Sequence, residues 1–167
     1  MIFVNMKDSR EVFMHGGPDH HDAELMLRLY DLRREEKLRR ARDWFLREFN
    51  ATSLAEMERL CPPGSEQDAY ARMTVTYWEM AASIVNHGLI HEKFFFENNG
   101  ELWSVWEKAR PVVPTLRELL KNPHLYENLE ILAGKYEKWM AERAPDHLGV
   151  RRQRLASRAA PPSGRAS

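Results

Sequence analysis

Two histidines stand four residues apart in the stretch TYWEMAASIVNHGLIHEKFFF, residues 76–96: His87 and His91, with Glu92 adjacent and Glu79 upstream. Imidazole and carboxylate groups suit zinc and similar ions, and histidines at i and i+4 on one helix face can share a metal. Here Gly88 falls between them, where a glycine closing a helix belongs, and Leu89-Ile90 then turns the chain. The spacing therefore does not hold both rings on one face. Neither the HExxH spacing nor the Glu-x-x-His pairs of di-iron bundles occurs. Two readings follow. In one, His87 caps a helix end, where an imidazolium gains about 0.3–1 kcal/mol from the dipole. In the other, His87, His91 and Glu92 form a metal or small-ligand site.

A second cluster, HGGPDHHD, offers His15, Asp19, His20, His21 and Asp22. Adjacent side chains ligate one ion poorly, so a pre-helix loop competes with chelation. The remaining chemistry is sparse. The glycines lie in HGG, PPG, HGL and NNG, not in a phosphate loop, and no nucleophile elbow occurs. Cys61, in CPPG, is the lone cysteine and has no base placed near it by any motif, so an inert thiol is expected. No catalytic residue and no cofactor is nominated.

The elements that must position these residues read as helices. After HGGPD, Asp19 or Asp22 can cap a long helix running to about Phe49. Leu27, Tyr30, Leu38, Ala41, Phe45 and Phe49 form its expected buried stripe. Leu25, Leu29 and Leu32 form a second stripe almost opposite the first. Ser53 can cap a short helix through Leu60, and Ser65, with Asp68, begins the next, whose stripe is Tyr70, Met73, Tyr77, Met80 and Ile84. HEKFFFENNG supplies one or two helical turns. Leu102, Trp106, Ala109, Val113, Leu116 and Leu120 keep helical spacing through Pro111 and Pro114, which predicts a kinked helix or two helices nearly in line. Asn122-Pro123 is a good start for a last helix, with Leu125, Leu129, Leu132, Tyr136 and Trp139 inward, ended by Ala144-Pro145.

Nothing alternates with period two, so the expected fold is all-α: a single-domain helical bundle of about four main helices plus two short ones. The domain reading is an irregular segment over 1–18, the bundle over 19–144, and a disordered Arg/Ala/Pro tail over 145–167. A chain of 167 residues with 43% apolar and 30% charged residues supports one such core. Zero formal net charge gives no global bias toward nucleic acid. The tail arginines, Arg151, Arg152, Arg154, Arg158 and Arg165, lack interleaved aromatics and make a weak nucleic-acid signal. No apolar run approaches the roughly 20 residues of a membrane span, and a single cysteine fits a cytoplasmic setting.

Two features point toward association. The first half of the long helix is apolar on two sides, which makes Leu25, Leu29 and Leu32 either a covered face or a contact surface. Phe94, Phe95 and Phe96 sit on one short helix and cannot all face inward, so at least one ring belongs at an edge. The expected function is protein–protein association, with itself or as an accessory subunit, through these six residues. The alternative is a metal- or small-ligand-binding bundle built on His87, His91 and Glu92. With the motifs DAELMLRLYDLRREEKLRRAR, YWEMAASIVNHG and VWEKARPVVPTLRE, the chain resembles a group of small helical bacterial proteins of unknown function over about residues 22–140. The resemblance implies a helical bundle and a bacterial cytoplasmic setting, with no activity and no site. It implies a structural Tyr77-Trp78-Glu79, with Glu79 pairing a cation.

Overall fold

A computed structural model describes residues 16–159. The expected irregular segment lies outside the described residues up to His15, and so does the end of the chain from residue 160. Among the described residues there are nine helices and no strand. They are α1 (His20–Arg34), α2 (Glu36–Glu48), α3 (Leu54–Leu60), α4 (Glu66–Asn86), α5 (Glu92–Asn98), α6 (Glu101–Ala109), α7 (Val113–Leu119), α8 (Glu127–Arg143) and α9 (His147–Ala159). The all-α expectation holds. None of these helices is long and apolar enough to cross a membrane.

α4 is the central post, packed against α2 and α8 with α5 and α6 alongside. Its buried set is Thr74, Val75, Tyr77, Trp78, Ala81, Ala82 and Val85, together with Tyr70 nearer its start. This band differs from the expected stripe: Met80 is exposed, and Met73 and Ile84 are only partly covered. A helix surrounded by neighbours buries more than one stripe, and Ala81 and Ala82 let those neighbours approach.

The long first helix is two helices. Glu35, in an extended conformation (φ −52°, ψ 136°), breaks it, and its carboxylate accepts the Leu38 amide at 2.8 Å as the cap of α2. The Leu38 amide, with that of Lys37, holds the Glu35 carboxyl below its usual range. The charge order explains the break: Arg33-Arg34 sits at the negative end of one helix dipole and Glu35-Glu36 at the positive end of the next. The stripe therefore does not run through. α2 buries Leu38, Ala41 and Phe45 as expected, but α1 buries Leu29 and leaves Leu27 65% and Tyr30 46% exposed.

The second half departs from expectation twice. The proline segment does separate two helices, with Pro114 in the first turn of α7, but Leu120 is exposed. α8 starts at Glu127 rather than at Asn122-Pro123, whose Asn122 side chain accepts the His124 amide in a turn. Beyond Ala144-Pro145 the expected disordered tail is instead the helix α9, packed on α2, α6 and α8 with Leu148 buried. One of its arginines finds partners across the bundle: Arg152 pairs with both Glu107 of α6 and Glu137 of α8. Those paired charges raise the Arg152 guanidinium pKa.

Candidate functional site

The two histidines occupy opposite sides of a turn. His87 closes α4: its Nδ1 lies 2.8 Å from the Ser83 carbonyl oxygen, and Gly88 follows in the left-handed region at φ 74°. His91 opens α5, where its Nδ1 accepts the Phe94 amide at 3.4 Å. Each ring is thus turned to the end of its own helix. Glu92 reaches Lys135 of α8 at 2.8 Å. Among the described residues no group of three or more His, Cys, Asp and Glu is placed to hold a metal ion.

In the second cluster His15 lies outside the described residues, and Asp19 and Asp22 cap a helix. Asp19 accepts the His21 and Asp22 amides and Asp22 returns a bond to the Asp19 amide at 2.7 Å, a reciprocal box at the start of α1. Buried Asp22 also accepts the His91 amide at 2.5 Å. One carboxylate thereby joins the starts of α1 and α5. His20 and His21 are exposed on the first turn.

Tyr77, Trp78 and Glu79 bind three different elements. The Tyr77 hydroxyl donates to the Leu29 carbonyl at 2.7 Å, fastening α1. The Trp78 indole N–H donates to Glu101 of α6 at 3.3 Å, a carboxylate held at the same time by Arg42 of α2 through bonds of 2.6 and 2.5 Å. Glu79 pairs with no cation among the described residues. Its carboxylate accepts the amides of Asn128 (3.2 Å) and Leu129 (2.7 Å), capping α8 from fifty residues away. Tyr126, the residue before α8, supplies no side-chain cap and sits in the left-handed region at φ 57°.

The six expected contact residues divide. Leu29 is core and Leu25 is partly covered, while Leu32 is 53% exposed. Phe95 and Phe96 are core, Phe96 against Tyr136 and Trp139. Phe94 is half-buried and takes the edge position. It lines a shallow groove of about 450 Å³ with Met26, Leu27, Tyr30, Arg33 and Asn99, between α1 and α5. The guanidinium groups of Arg33 and Arg34 lie 5.4 and 5.5 Å from the Tyr30 ring centroid, and neither meets a carboxylate among the described residues. Sequence reasoning missed Leu27 and Tyr30 as surface residues because the stripe they belong to continues in α2. The RREE charge reversal was the available signal.

Residues 18–139 match a family model described as a domain of unknown function, DUF4760. No curated protein and no solved structure matches the chain.

Proposed function

The chain belongs to the DUF4760 family, and we propose that it acts by protein–protein association, as a non-catalytic helical subunit in a bacterial cytoplasm. The observation that carries this reading is the α1–α5 groove. Leu27, Tyr30 and Phe94 offer apolar area, Arg33 lines the groove and Arg34 stands beside Tyr30, both without carboxylate partners among the described residues. Such a surface takes the apolar face of an amphipathic helix. The two charges beside Tyr30 are both positive, so the partner that complements it carries carboxylates next to its apolar anchors.

The probe is an amphipathic helical peptide with Leu and Phe anchors at i, i+4 and i+7, made with Glu flanks or with Lys flanks. Fluorescence anisotropy should show the Glu peptide binding the protein and the Lys peptide binding at least tenfold more weakly. Leu27→Glu and the double change Arg33→Glu/Arg34→Glu should each abolish binding with little loss of stability, because these side chains are exposed or half-exposed. Equal binding of the two peptides, or binding indifferent to these changes, overturns the proposal. A concentration-dependent dimer lost in Leu27→Glu assigns the face to a second copy instead.

A further inference from the structure

We infer that the cavity between α2, α6 and α9 binds a small amphipathic oxyanion, an anionic head on a short apolar body. The inference is independent of the α1–α5 groove. The cavity has a volume of about 400 Å³, within the range of small-molecule sites. Ser104 of α6 lines it and is only 3% exposed. Its hydroxyl can donate a hydrogen bond to a ligand oxygen at the cavity wall.

Charge sets the ligand's sign. α9 contributes Arg151, Arg154 and His147 to the lining, and none of them pairs with a carboxylate among the described residues. Among the described residues the one acidic lining residue, Glu101, is already neutralised by its two bonds from Arg42 and accepts from the Trp78 indole as well. Arg151 is held in place rather than trailing: it stands 5.9 Å from the Trp103 ring centroid and beside the Tyr136 hydroxyl. Both groups crowd Gly100 so closely that a Cβ there would lie 2.6 Å from the hydroxyl oxygen and 2.9 Å from Arg151 Nη1.

The other walls, Leu46, Val150 and Leu155, are apolar and suit a body of a few methylenes or one ring. Carboxylate and phosphate heads share the recognition chemistry, since guanidinium groups bind both. The cavity's two sides differ in origin. Leu46, Glu101 and Ser104 lie in the family-matched region, whereas every α9 residue lies beyond residue 139. The head-binding charges are thus supplied by the helix outside that region.

Isothermal titration of the full chain with hexanoate and hexyl phosphate separates the two heads, with hexanol and inorganic phosphate as body-only and head-only probes. One or both amphipathic anions should bind at one site, at least tenfold tighter than hexanol or inorganic phosphate. Arg154→Glu, at an exposed position, should weaken that binding at least tenfold and Ser104→Ala about threefold, while Arg59→Glu on α3 leaves it unchanged. Amide shifts in NMR spectra of the variants check that they remain folded. Absence of binding by both anions, hexanol or inorganic phosphate binding as tightly, or affinities that survive Arg154→Glu would overturn the inference.

Discussion

Asp22 and His91, sixty-nine positions apart, are joined by a 2.5 Å hydrogen bond from the His91 amide to the Asp22 carboxylate. The same carboxylate closes the capping box of α1 through the Asp19 amide. Two motifs that suggest metal ligation are therefore parts of one structural joint, in which the acidic group satisfies backbone donors at two helix starts.

Asp22→Ala should destabilise the protein by about 2 kcal/mol, since one change removes a cap bond and leaves the part-buried His91 amide without its acceptor. Asp22→Asn keeps an acceptor and should lose less. Urea unfolding of both variants checks the order. A cost for Asp22→Ala no larger than that of an exposed substitution would show that the joint contributes nothing.

Leu29→Ala and Leu27→Ala should differ sharply although the residues are two apart. Leu29 is core, so its truncation should cost about 2–5 kcal/mol. Leu27 is mostly exposed and its truncation should stay within about 0.5 kcal/mol. Thermal melts of the pair test which stripe of α1 faces inward.

Alkali should weaken the fold through two buried acids. Burial pushes the Cys61 thiol from 9.0 up to about 11 and the Tyr77 hydroxyl from 10.0 up to about 12, with Asp68 reinforcing the first and Arg33 and Arg42 opposing the second. Both groups hold their protons more tightly when folded. Their stabilisation is full below the unfolded values and is lost as pH climbs from about 9 toward 12. Tyr77→Phe and Cys61→Ala should each flatten that decline in urea midpoints, even where they lower stability at neutral pH. Cys61 also lines an apolar cavity of about 170 Å³, so a thiol reagent at pH 8 should label it far more slowly than it labels unfolded chain.

Arg152→Ala should loosen α9 specifically. Its guanidinium bridges Glu107, whose side chain is only 7% exposed, and Glu137, and it lies 5.1 Å from the Trp103 ring centroid. Hydrogen exchange should rise across 147–159 before the rest of the bundle, and Trp103 fluorescence should shift to the red. Uniform exchange across the chain would mean that α9 is held by other contacts.

The helical class and most helix positions were legible because apolar spacing and caps such as Ser53, Ser65 and Gly88 are local signals. Three features were not, each for a physical reason. The break at Glu35 was hidden by a stripe that keeps phase by coincidence across Arg34. α9 was masked by its arginines, which look solvated until Glu107 and Glu137 are brought beside Arg152. The role of Glu79 depends wholly on a residue pairing that only the tertiary fold creates. The groove beside Tyr30 was half legible: three consecutive phenylalanines required an edge ring, and Phe94 is that ring.

The remote cap on α8 has a consequence for how the chain folds. In the unfolded polypeptide, the local start signal for this helix is Asn122-Pro123; in the folded protein, the start is Glu127, chosen by the Glu79 carboxylate. The two instructions compete. α8 therefore acquires its final first turn only when α4 arrives, and an isolated peptide spanning residues 120–143 should begin its helix earlier than the protein does. For this segment, docking edits the helix boundary that local sequence writes.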